Sequence, residues 1–140
     1  MRKRWIILII LVILIGATFI FVNQANQTTY GNEISTLVNE DDIQEIEIED
    51  IRNNKQFRTN DQQVIHDIIT KPSDMQLQKV NNPPKFDYTI GIKTSNSETY
   101  FIMLGENRLQ IAGGYHHEVD QVNELYDIIQ SSSYDWEPLE

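Results

Sequence analysis

Residues Trp5 to Val22 form an unbroken apolar run directly behind Met1-Arg2-Lys3-Arg4, and this run decides how the remainder of the chain is deployed. Ile, Leu, Val and Phe hold fourteen of its eighteen positions, the others being Trp5, Gly16, Ala17 and Thr18. A helix of that composition satisfies its own backbone in hydrocarbon, where an open strand or a loop cannot. At ~1.5 Å rise per residue it reaches about 27 Å, close to the ~30 Å hydrocarbon core of a bilayer. Residues 5–22 are therefore expected to span a membrane. Three basic residues precede the run and the next is Arg52, so the positive-inside bias keeps residues 1–4 in the cytoplasm and sends the rest across. A cleaved signal peptide is the competing reading, but the run exceeds the usual ~7–15 residues of its apolar region. Asn23-Gln24-Ala25 is also a poor small-x-small cleavage site, so an uncleaved signal anchor is expected.

Beyond the span and its flank lie about 115 residues, enough for one domain with its own core. Three of the eleven Lys and Arg belong to the N-terminal tail, which leaves eight against twenty-one acids, a net charge of −13. Such a body repels phosphate polyanions, and nucleic acid is not an expected partner. The chain has no cysteine. Disulfides, a lipid-modified Cys and thiol chemistry are all excluded, and packing alone must stabilise the fold.

From Asn23 to Asp42 the sequence is polar, with Gly31 as a helix breaker and Ile34, Leu37 and Val38 as its apolar cluster; a spacer with one short helical turn is expected. Ile43 to Glu49 alternates apolar and acidic residues, which predicts a strand. Asn53-Asn54 supplies a turn, and Lys55 to Arg58 returns as its partner. Thr59 or Asn60 is placed to cap a helix with Gln62 or Gln63 three residues on, carrying the stripe Val64, Ile65, Ile68 and Ile69 and ending by Pro72. A weak strand at Met75 to Val80 and a rigid loop Asn81-Asn82-Pro83-Pro84 follow. Three runs, Phe86 to Thr94, Glu98 to Leu104 and Arg108 to Ala112, then read as an antiparallel meander. Val119, Val122, Leu125, Tyr126 and Ile129 at helical spacing predict a last helix over 117–131. The expected fold class is α+β: an N-terminal transmembrane helix, then a small antiparallel sheet with two helices packed on one face. The folded domain is expected over 43–130, with a flexible acidic tail at 131–140.

Within 43–130 the succession Ile46-Glu47-Ile48, a capped helix with Ile68-Ile69, Tyr88-Thr89-Ile90-Gly91-Ile92, Tyr100-Phe101-Ile102-Met103-Leu104 and Val122 to Ile129 resembles the small uncharacterised α+β domains that Gram-positive Bacillota carry on lipoprotein or single-span anchors. The resemblance implies a membrane-held extracytoplasmic module and carries over no functional residue. The lipid-modified Cys of such proteins is missing here, and the apolar span stands in its place.

Catalytic signatures are wanting: neither a Gly-x-Ser-x-Gly elbow nor a Walker or Gly-x-Gly-x-x-Gly phosphate loop occurs. No enzyme and no cofactor is expected. Three weaker constellations are candidates. His116, His117 and Asp120, with His66 as the other imidazole, offer zinc-type ligands, although neighbouring His side chains on a helix diverge by about 100°. The alternative function they suggest is a metal-binding sensor or metal-dependent hydrolase. Glu45, Glu47 and Glu49, joined by Asp50 and preceded by Glu40 to Asp42, share one strand face. They read either as a bridge for a cation or basic partner, or as a solvated face that discourages edge-to-edge pairing. Phe101 and Met103 point away from the expected core and form a possible contact patch. Tyr134, Trp136 and Pro138 in the tail, and Tyr30 in the spacer, are lesser candidates for partner contact. The leading functional expectation is a noncatalytic recognition or accessory module. Its partners are the bilayer, through residues 5–22, and an envelope protein or ligand.

Overall fold

The structure is a computed structural model that describes residues 2–83 and 85–139, with backbone alone at 2–4. The cytoplasmic tail expected at 1–4, Pro84 of the rigid loop and Glu140 of the acidic tail thus lie wholly or partly outside the described residues. The first element, α1 (Arg2–Ala25), is a single long helix. Its segment Trp5–Ala25 is long and apolar enough to cross a membrane, and none of it is buried by the rest of the chain. A membrane anchor and a signal sequence both satisfy that description.

Among the described residues an open antiparallel sheet of nine strands follows: β1 (Gln27–Thr29), β2 (Ile43–Asp50), β3 (Lys55–Thr59), β4 (Gln76–Val80), β5 (Tyr88–Thr94), β6 (Thr99–Leu104), β7 (Arg108–Ile111), β8 (His116–Val119) and β9 (Glu137–Pro138). Their spatial order is β1-β4-β8-β7-β6-β5-β2-β3-β9. Helices α2 (Tyr30–Ser35), α3 (Gln62–Ile69) and α4 (Glu124–Ser131) complete the fold, which is α+β as expected. The alternating strands place Ile46, Ile48, Ile90, Ile92, Ile102, Leu104 and Leu109 on one face, each at most 1% exposed. Ile65, Ile68, Leu125 and Ile129 of α3 and α4 belong to the same buried cluster. Each such side chain removed from water contributes about 1.5–3 kcal/mol, so this one layer of Ile and Leu is the main source of stability.

Four expectations are corrected. The segment 23–42 is not a bare spacer: Tyr30, Ile34 and Val38, each one turn apart, are buried in the core. Tyr30 donates its hydroxyl to the Ile68 carbonyl at 3.1 Å, and its amide donates to Met75 at 2.9 Å. The last helix begins at Glu124 instead of residue 117, because His116 to Val119 form a strand between β4 and β7. Asn123 caps α4 by accepting the Tyr126 amide at 3.1 Å, which leaves Val122 outside the helix and exposed. The cap of α3 is Asp61, which accepts the Gln63 amide at 2.8 Å; Thr59 instead holds the Asp61 amide. The acidic tail is docked: β9 pairs with β3, and Tyr134 stacks on Phe57 with ring centroids 4.4 Å apart.

Candidate functional site

The pairing at β8 separates the imidazoles. His116 lies opposite Gln110 and Val80, while His117 lies opposite Leu109 and Lys79, so the two side chains leave opposite faces of the sheet. His116 sits near the Phe86 ring, 6.4 Å between centroids. His117 is only 1% exposed, and neither of its ring nitrogens has a hydrogen-bond partner among the described residues. Burial in that apolar layer pushes its pKa down. Asp120 follows the strand as an exposed residue, its amide bonded to the Gln76 carbonyl at 3.2 Å. His66 is on α3, with Nδ1 3.1 Å from Glu40 Oε1, and Thr70 donates to the other oxygen of the same carboxylate. These contacts tie the 3-10 turn Glu40–Asp42 to α3. Among the described residues no group of three or more His, Asp or Glu is arranged to hold a metal ion.

The acidic ladder occupies an interior strand, since β2 is flanked by β3 and β5; protection of an exposed margin is therefore not its role. Glu45 meets Lys93 Nζ at 2.6 Å, and Glu47 meets Arg58 at 2.7 Å and Lys93 at 3.7 Å. The carboxylates hold Lys93 and Arg58 firmly protonated, chiefly through the hydrogen bonds to Glu45 and Glu47 respectively. Glu49 lies opposite Gln56 and Thr89. Asp50 is buried and turns inward to accept the Arg52 and Asn53 amides at 3.1 and 3.0 Å, closing the β2–β3 turn.

Phe101 and Met103 do face away from the core. Phe101 is 53% exposed and Met103 half-buried. Gly91 lies directly opposite Phe101, and a Cβ there would touch the Phe101 ring at 3.4 Å, so the ring rests over the glycine. The patch is a single aromatic with one flanking thioether.

A cleft of about 380 Å³ that the sequence did not single out opens between the stretch 35–42 and the β5–β6 turn. Its walls include Ser35, Asn39, Asp42, Asn96, Glu98 and Tyr100. Tyr100 donates its hydroxyl to Glu98 at 2.6 Å, and the Asn96 amide donates to the same oxygen at 2.9 Å. Those bonds, the tyrosine's first, hold the Glu98 carboxyl below its ordinary range and keep the Tyr100 phenol protonated. The wall is thus a fixed array of donors and acceptors. Its two halves are separated by more than fifty residues of sequence, and the β2–β5 pairing, extended by the Ser95 amide donating to the Asp42 carbonyl at 2.9 Å, brings them together.

No protein-family model, no curated protein and no solved structure matches the chain.

Proposed function

We propose that the chain is a single-pass membrane protein whose α+β domain stands outside the cytoplasm as a noncatalytic recognition or accessory module. The observation that carries this reading is the complete exposure of Trp5–Ala25. Apolar surface on that scale has no partner in the folded body, and hydrocarbon is the solvent that suits it. Arg2, Lys3 and Arg4 ahead of the span, with the next Lys or Arg behind it at Arg52, support the N-in orientation. The cleft beside Tyr100 supports recognition over catalysis. Its polar groups are already held by one another, Tyr100 and Asn96 both donating to Glu98, at 2.6 and 2.9 Å, as a fixed surface for a ligand to match.

The experiment is protease treatment of intact, wall-stripped cells that express the chain with a C-terminal epitope. Loss of the epitope with retention of a membrane-bound N-terminal fragment is expected; full protection would refute the orientation. A photocrosslinker at Ser95 on the cleft rim is expected to trap an envelope component more efficiently than one at Glu106 on the opposite end of the sheet. Equal trapping at both would refute recognition at the cleft.

A further inference from the structure

The chain passes from helix to sheet almost without a joint, since α1 ends at Ala25 and β1 begins at Gln27. Asn26 between them is held: its carbonyl accepts the Lys79 amide at 2.9 Å, and Gln27 opposite Gln78 starts the β1–β4 pairing. Val22, the last apolar residue of the span, is four residues from that bond. At ~1.5 Å per helical residue, Lys79 then lies about 6 Å beyond the hydrocarbon. That is headgroup depth, because the polar layers add roughly 5–8 Å to each side of the ~30 Å core.

What surrounds Lys79 suits that depth. Its ammonium lies 4.4 Å from the centroid of the Tyr115 ring, and Tyr115 is 66% exposed. Tyr115 follows Gly113-Gly114, a turn with no side chain to hold a flat surface away. An exposed phenol belongs at a membrane interface, with its ring towards the acyl chains and its hydroxyl in water, and a lysine there reaches lipid phosphate.

The same rim changes character with distance from the anchor. Antiparallel pairing brings the start of β1, the end of β4, the start of β8, the start of β6, the end of β5 and the start of β2 to one end of the sheet. The far part of that rim carries Asp41, Asp42 and Glu98. It lies four to six strands from β1, roughly 19–29 Å away at ~4.8 Å per strand. Lipid phosphates attract the first part and repel the second.

We propose that the corner formed by Lys79, Tyr115 and the Gly113-Gly114 turn seats in the phospholipid headgroups of the bilayer that holds the anchor. The domain then rests on one corner of its sheet with the acidic end raised. This rests on the reading of α1 as a retained span.

The test uses the full chain in nanodiscs of zwitterionic and anionic phospholipid. Its lack of cysteine permits single spin labels at Asn81→Cys beside the corner, Glu106→Cys at the opposite end of the sheet, and Gly16→Cys within the span. Accessibility to a water-soluble nickel chelate is expected to be several-fold lower at 81 than at 106. Adding Lys79→Gln and Tyr115→Ala, which leave the backbone pairing intact, is expected to raise 81 to the level of 106. Equal accessibility at 81 and 106 with 16 still shielded would overturn the corner contact and leave the anchor standing. Free access of the chelate to all three would mean that the span itself is not inserted.

Discussion

Replacing Tyr30 by Ala tests whether the stretch just after the apolar helix belongs to the folded body. The side chain is fully buried, packs with Ile34 and Val38 in the common core, and donates its hydroxyl to the Ile68 carbonyl of α3. Deleting a buried aromatic side chain costs about 3–5 kcal/mol, a large share of the ~5–15 kcal/mol that holds a domain folded. Tyr30→Phe isolates the hydrogen bond; it removes the donor and leaves a carbonyl without its partner, at a cost of about 1–2 kcal/mol. Urea unfolding in nanodiscs, followed through Trp136 fluorescence, separates the two. Trp136 sits 5.8 Å from Tyr134 and 6.3 Å from Phe57 and reports the docked body, whereas Trp5 lies on α1, apart from the body, and gives a steady background. With a slope of about 2 kcal/mol/M, the Ala variant should lose roughly 2 M of its midpoint and the Phe variant about 0.5–1 M. An unchanged midpoint for Tyr30→Ala would refute the claim that residues 27–38 are part of the core and restore the picture of a loose spacer.

Asn123→Ala should lower stability by about 2–3 kcal/mol, read as a fall in urea midpoint. The side chain caps α4 and donates to the Gly105 and Glu106 carbonyls, both at 3.1 Å, so three partners lose it together. His117 should make the domain acid-sensitive. Burial holds its imidazole below the ordinary 6.5, so the unfolded chain takes up the proton first. Stability is then complete above about pH 6.5 and is lost as pH falls from there through the folded value. Melting temperatures from about pH 8 to 5 should fall less steeply for His117→Leu than for the parent, and parallel curves would exclude the effect. Arg58→Gln breaks an ion pair with Glu47 that stands at the surface, where solvent screens it; its urea midpoint should match the parent's.

The strands at 43–50, 88–94, 99–104 and 108–111 were legible because period-two alternation survives wherever one sheet face is buried. The stripe of α3 was legible for the corresponding helical reason. The element at 116–119 was not. His117 and Val119 supply only two inward positions, while Val119, Val122, Leu125, Tyr126 and Ile129 offer a longer helical period. Pairing with β4 and β7 on both sides overrode that local preference. Ile34 and Val38 were visible as an apolar cluster, but with Asn, Glu, Ser and Thr around them the four-residue spacing from Tyr30 was too short a stripe to mark a core helix. Of the candidate site residues, the sequence placed Phe101 and the ladder Glu45, Glu47 and Glu49 on the outer sheet face, where they are found. It could not show that Lys93 and Arg58 neutralise the ladder, because those pairings depend on strand order.

Both outermost strands of the sheet are stubs, three residues in β1 and two in β9, and Pro138 in the latter has no amide proton to offer a neighbour. A long unpaired margin would let copies of the chain knit into fibrils. With outermost strands this short at both margins, and a proline in one of them, neighbouring copies can crowd together without polymerising through their backbones.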